Sequence, residues 1–186
     1  MTKIQRVRER VAYQNRFIVV HDDEVVFPDG HPGTYIKVSP RGEGLGVVVV
    51  PRRLDPPRAP AYGLVRTFRY PVGEHQWGFP RGFAQGPDPR ASAEAELREE
   101  LGATASRWTL LGHVTPDSGV QSTRVAVFLA DVEGVGEPTD LREVSETAWV
   151  GLEELRGRVA AGEIEDAFTL AGLLLVDLAD TGPAEG

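Results

Sequence analysis

GFAQGPDPRASAEAELREELGA, residues 82–103, sets a glycine-rich loop against a short helix whose last turns carry Glu96, Glu99 and Glu100. Asp88 followed by Pro89 predicts the start, with aspartate as N-cap and proline in the first helical position. Gly102 predicts the stop, as the residue just past the helix. Ala93, Leu97 and Leu101, spaced by four, form the apolar face, and Glu96 and Glu100 lie at its edge, next to the expected core. Acids three and four residues apart repel by roughly 0.2–0.5 kcal/mol per pair. Anions in a helix's last turn oppose the macrodipole at a further cost of about 0.3–1 kcal/mol each. A bound metal cation would reverse both penalties; the plainer alternative is a solvated helix face, since glutamate is a good helix former.

Upstream of this stretch, Val7–Tyr13 and Phe17–Val20 read as two short strands interrupted by Asp22 and Asp23. EVVFPDGHPGTYIKV follows as a hairpin turning at Pro28-Asp29-Gly30. The valine-rich run Leu45–Pro51 predicts a strand buried on both faces. Arg52–Pro60 is expected as a loop, and Ala61–Tyr70 as a strand bearing Arg66 and Arg69. Their odd separation keeps the two arginines from sharing a strand face. Pro71–Gly86, dense in glycine, proline and aromatics, is expected as a loop.

Downstream, Trp108–Val114 and Arg124–Val132 are expected as strands separated by a turn at TPDSG, and Glu133–Asp140 as a loop. Thr147–Val150 reads as a last strand, and Leu152–Ala161 and Ile164–Ala179 have helical periodicity.

Composition narrows the chemistry. The chain has 186 residues with 41% apolar and 26% charged residues, the balance of an ordinary globular protein. It contains no cysteine, so disulfides, thiolate metal sites and thiol nucleophiles are all excluded. His21, His31, His75 and His113 share no metal-ligand spacing, which leaves oxygen donors for any metal. A net charge of −8 argues against nucleic acid as the partner, while a small anionic substrate remains compatible with a locally positive pocket. The opening MTKIQRVRER lacks a signal peptide's apolar centre, and apolar runs such as LAGLLLVDLA are too short to span a bilayer. A cytoplasmic protein without membrane partners is the expectation.

The helix and its cap resemble the Nudix hydrolase box, which runs Gly, five residues, Glu, seven residues, then Arg-Glu-apolar-x-Glu-Glu-x-Gly-apolar. Glu96, Leu97, Glu99, Glu100 and Gly102 match its second half. Similarity extends over most of the chain towards the ADP-ribose and nucleotide-sugar pyrophosphatase branch, through LVRTFRYPVG, WGFPRG and GEIEDAFTLAGLLL. The resemblance implies an α+β, α/β/α sandwich with a mixed sheet between helices, spanning residues 45–186. It also implies a small antiparallel sheet in residues 1–44 through which a homodimer forms.

The implied activity is hydrolysis of the diphosphate in a nucleoside diphosphate joined to a sugar or similar group, ADP-ribose being the type. The products would be a nucleoside monophosphate and a sugar phosphate. Mg²⁺, with Mn²⁺ as the alternative, would be held by Glu96, Glu99, Glu100 and the backbone carbonyl of Arg81, with Gly82 letting the chain come close. Glu99 and Glu143 are the expected catalytic residues, Glu143 as general base from the late segment DLREVSE, where Glu146 is the other acid. Arg66, Arg69, Pro116 and Trp77 are the expected substrate contacts, arginine through its planar donor fork and Trp77 by stacking on a base or, equally, by packing in the core.

Four departures stand out: the box arginine is Ala95, Asp88 replaces a glutamate, the loop is one residue short and Gly78 replaces a further acid. Arg98 sits two positions from Glu96 and so points elsewhere, with Glu94 as its expected partner. These changes would lower activity or shift the substrate. They also leave a second reading, a Nudix-fold module that binds nucleotide sugars with weak or no catalysis.

Overall fold

The structure, a computed structural model, describes residues 2–41, 45–55, 57–84, 86–140 and 142–181. The chain divides into two compact units, residues 1–44 with 115–124, and residues 45–114 with 125–186.

In the first unit, β1 (Gln5–Arg8), β2 (Val11–Gln14), β3 (Ile18–Val26) and β4 (Pro32–Pro40) form an antiparallel sheet with β3 paired to all three others. The hairpin turn falls at Pro28-Asp29-Gly30, where Gly30 has φ 91° and its N–H donates to the Phe27 carbonyl at 2.9 Å. Two expectations need correction. The stretch Val7–Tyr13 is two strands, not one, and Asp22 and Asp23 do not interrupt β3 but lie inside it. Asp23 is tolerated there because its Oδ1 accepts from the Arg10 N–H at 3.1 Å and Lys37 Nζ lies 4.0 Å from Oδ2. The segment Thr115–Arg124, read as little more than a turn, adds a bridge to β4 through Val38 N–H to the Val120 carbonyl and Ser122 N–H to the Val38 carbonyl.

The second unit is built on a mixed sheet of seven strands: β5 (Gly46–Arg53), β6 (Ala61–Arg69), β7 (Glu74–Gly78), β8 (Arg81–Phe83), β9 (Ala103–Val114), β10 (Val125–Val135) and β11 (Val144–Gly151). The main path is β11-β6-β5-β10-β9, with β5 and β10 parallel and the other pairs antiparallel. The valine run explains the centre of the sheet. Side chains alternate, so Val47 and Val49 join the cluster under α1 (Pro89–Leu101), while Val48 and Val50 join the cluster under α2 (Leu152–Ala160) and α3 (Ala167–Thr181). Helices therefore cover both faces, giving the expected α/β/α sandwich. No described helix is long and apolar enough to cross a membrane.

Helix α1 is seated by Ala93, Leu97 and Leu101, each at most 2% exposed. Burial of each leucine contributes about 1.5–3 kcal/mol. Leu101 lies directly on Gly63 of β6, where no side chain would fit. The strands exceed expectation elsewhere. Pro71–Gly86 is not a loop throughout: β7 pairs with β6 and β8 with β5, and the C-terminal half of β7, Gln76, Trp77 and Gly78, turns inward. The strands β9, β10 and β11 begin earlier or end later than their apolar cores suggest, and β10 runs on to Val135 because β9 offers it a partner as far as Ala103.

Candidate active site

The ends of α1 form as its sequence dictates. Asp88 Oδ1 accepts from the Arg90 N–H at 2.9 Å, and Gly102 takes the left-handed conformation, φ 65° and ψ 15°. Gly102 has a second reason to be glycine that the sequence did not disclose: a Cβ there would strike the backbone of Gly136 and Glu137. That close approach lets residues 136–140 dock on the C-terminal end of the helix. The Gly136 N–H donates to the Gly102 carbonyl at 2.8 Å, and the N–H groups of Thr139 and Asp140 both donate to the Glu99 carbonyl at 2.9 Å. Two carbonyls left over at the helix end are thereby satisfied.

Asp140 then shapes the turn that carries Glu143. Its Oδ1 accepts from the Arg142 N–H at 3.1 Å and the Glu143 N–H at 3.4 Å, and its carbonyl accepts from the Val144 N–H at 3.2 Å. The result is that carboxylates from two distant segments come within electrostatic reach of one another. Glu100 is 3% exposed and Glu96 half-buried. Burial pushes Glu96 up to about 7, and the charges of Glu99, Glu143 and Asp140 add to it. Burial likewise pushes Glu100 up to about 7, with Glu96 and Glu143 adding, against the downward pull of the Arg81 N–H and of Arg69.

The two shifts differ in a telling way. Glu100 has a backbone donor, the Arg81 N–H at 3.0 Å, and the cation Arg69 near it, whereas every charge acting on Glu96 is negative. Arg98 does not compensate; it lies 3.9 Å from Glu99. Nor does it pair with Glu94 as expected, because Arg90, one turn earlier, already holds Glu94 Oε1 through Nε at 3.0 Å and Nη2 at 2.9 Å.

Gly82 packs against the Glu96 carboxylate. A Cβ there would overlap the Glu96 carboxylate, so glycine is required for that side chain to lie against the backbone of β8. Hard oxygen donors, buried and mutually repelling with too few cations to balance them, are a donor set suited to Mg²⁺ or Mn²⁺. As the side chains stand, no three His, Asp or Glu residues among those described converge closely enough to hold an ion.

The remaining expected residues separate. Arg69 is half-buried and acts on Glu100 and Arg81, while Arg66 pairs across the sheet with Glu146. Trp77 packs on the core beneath α2 and α3, with the Arg158 guanidinium 5.8 Å from its ring. Pro116 belongs to the segment grouped with the first unit. His31, His75 and His113 are exposed, and His21 is buried in the first unit's sheet. Sequence reading missed Asp140, which an Asx turn before Arg142 could have signalled. It also missed Asp166 and Thr169, whose spacing of three is that of a helix cap.

Comparison with known proteins agrees with this geometry. Residues 43–169 match the NUDIX domain, and residues 4–35 match the nucleoside diphosphate sugar hydrolase N-terminal domain. The chain is 31% identical to an ADP-ribose pyrophosphatase of Mycobacterium tuberculosis (strain ATCC 25618 / H37Rv), over 97% of this chain and 86% of that protein. It is 28% identical to a CMP-5'-(N-acetyl-N-hydroxy-3-aminopropyl)phosphonate hydrolase of Streptomyces rubellomurinus (strain ATCC 31215), over 90% and 79% respectively. The fold matches the crystal structure of an ADP compounds hydrolase with a TM-score of 0.81 at 20% identity, covering 99% of this chain and 98% of that one.

Proposed function

The chain belongs to the NUDIX family and is one of its pyrophosphohydrolases, and we propose that it splits the diphosphate of a nucleoside diphosphate joined to a sugar or similar group. ADP-ribose is the type substrate, and the products are a nucleoside monophosphate and a sugar phosphate. The observation that carries this reading is the electrostatic meeting of Glu143 with Glu96 and Glu100 at the end of α1. A module that only binds has no use for a further acid whose charge bears on two glutamates already raised by burial, and the relatives that match most of the chain are hydrolases.

In this reading Glu96, Glu99, Glu100 and the Arg81 carbonyl hold Mg²⁺ or Mn²⁺. When bound, the ion neutralises charge on the phosphate oxygens and makes water a better nucleophile. Glu143 accepts the proton of the attacking water, which bonds to phosphorus as the bridging oxygen leaves. Glu146, engaged with Arg66, is the weaker candidate for that role. Arg69 is the first choice for a phosphate contact because it lies near Glu100; Arg66 is the second, competing with its hold on Glu146. Packing of Trp77 on the core weighs against stacking on a base, and Pro116 is kept as a substrate contact by resemblance alone.

The test is a panel of nucleoside diphosphate sugars, ADP-ribose included, with divalent metal omitted and then restored, reading phosphate-containing products. Turnover should depend on the metal, and Glu96→Gln and Glu100→Gln should each lower it by roughly tenfold or more. Tight binding of ADP-ribose by the wild type with no more turnover than these variants would defeat the reading.

We also infer a homodimer through the first unit's sheet, supported by Val7 at 65%, Tyr13 at 56% and Ile36 at 55% exposure on its strands. Light scattering at micromolar concentration should give twice the chain mass; a monomer would remove the inference.

A further inference from the structure

The N-terminus of α3 carries a constellation on the face of the sheet opposite α1. Asp166 is 7% exposed and divides its two oxygens. Oδ2 accepts from the Thr169 N–H at 2.9 Å and from the Thr169 hydroxyl at 2.7 Å, which ties down the start of the helix. Oδ1 faces Nη2 of Arg81 at 3.0 Å. The Thr169 hydroxyl in turn accepts from the Phe79 N–H at 2.9 Å, and the Arg81 guanidinium lies 4.7 Å from the Phe168 ring centroid. The side chain of Arg81 is thus held by α3 while its backbone N–H donates to Glu100 of α1.

Position 78 belongs to the same arrangement. A Cβ on Gly78 would lie 2.9 Å from Thr169 Oγ1 and 3.3 Å from Asp166 Oδ2. Absence of a side chain there leaves room for the cap, so an acid at 78 and this placement of Asp166 exclude each other. The carboxylates whose charge bears on Arg81 are Asp166 first and Glu100 after it. A guanidinium released by Asp166 therefore has Glu100 as its other acid, and an ion pair between those two would compete directly with a divalent cation.

We propose that Asp166 is a positioning residue for the metal-binding end of α1: it holds the Arg81 guanidinium on the α3 side, keeping that charge off Glu100 while the Arg81 backbone stays bonded to Glu100. The inference rests on the reading of Glu100 as a metal ligand.

Its test is Mn²⁺ binding without substrate, followed by electron paramagnetic resonance of the free ion, in folded wild type, Asp166→Asn, Arg81→Gln and the double variant. Asp166→Asn should weaken Mn²⁺ binding about tenfold or more, the range for loss of a residue that orients a ligand. Its kcat should fall by a similar factor, with KM for the nucleotide changed less than about threefold. Removing the freed charge in the double variant should restore Mn²⁺ affinity to within about threefold of wild type. Wild-type affinity in Asp166→Asn, or a double variant as weak as Asp166→Asn, overturns the proposal. A wild type that binds no Mn²⁺ overturns it together with the reading of the site. Nitrogen-15 NMR of wild type supplies a readout that needs no variant to fold. During Mg²⁺ titration the Arg81 backbone amide should shift while its Nε–H stays in place, and a shift of Nε–H would show the guanidinium leaving Glu100 and overturn the proposal.

Discussion

Gly82 and Glu96 share one volume: the space a side chain on residue 82 would fill is occupied by the Glu96 carboxylate. Two parts of the motif that look independent in sequence, a loop glycine and a helix acid, are therefore a single packing unit.

Gly82→Ala follows directly. The methyl group must displace Glu96 while leaving the buried leucines of α1 in place. Turnover should fall by about tenfold or more, the scale of a displaced catalytic group, with Tm changed by only a few degrees. Steady-state rates and a thermal melt would check it; unchanged turnover would show that the Glu96 position is immaterial.

Glu143 and Glu146 separate cleanly. Glu143 acts on Glu96 and Glu100, whereas Glu146 is spent on Arg66. Glu143→Gln should lower kcat by about 10²–10⁴-fold as loss of a general base does, while Glu146→Gln should leave kcat within a few-fold. The reverse order of effects would move the base to Glu146.

The raised pKa values set a pH dependence of stability. Glu96 and Glu100 sit at about 7 in the folded protein against 4.5 for the free group. Between those values the folded state binds more protons than the unfolded one, so stability from these groups is present below about 4.5 and is lost as pH rises through about 7. In EDTA, Tm should drop more between pH 5 and pH 8 for wild type than for the Glu96→Gln/Glu100→Gln double variant. Added Mg²⁺ should raise the wild-type Tm more at pH 8 than at pH 5. Equal pH slopes for the two proteins would contradict the burial of these charges.

Gly102→Ala tests the helix end. Alanine in the left-handed region costs about 1–2 kcal/mol, and here its Cβ also strikes the backbone of Gly136 and Glu137. The variant should melt several degrees lower and lose activity beyond what unfolding explains, because the docked segment carries Glu143. Circular dichroism melts beside rates at low temperature would separate the two effects.

Local chemistry was legible in the linear chain. The caps at Asp88 and Gly102, the valine run of β5 and the apolar face of α1 follow from backbone preference and periodicity, which act over a few residues. So do the acids of α1, whose spacing on a helix is geometric necessity. What the sequence by itself determined was thus one strand buried on both faces and a helix end overloaded with negative charge, with the sandwich around them implied by the resemblance to the Nudix family. The tertiary structure decided which distant groups reach that end: the segment around Asp140 and Glu143 hung on the Glu99 carbonyl, and Asp166 holding Arg81 from across the sheet. It also reassigned Arg98 and made strands of β7 and β8. These outcomes depend on pairing and burial between segments far apart in the chain, and no local pattern of residues encodes them.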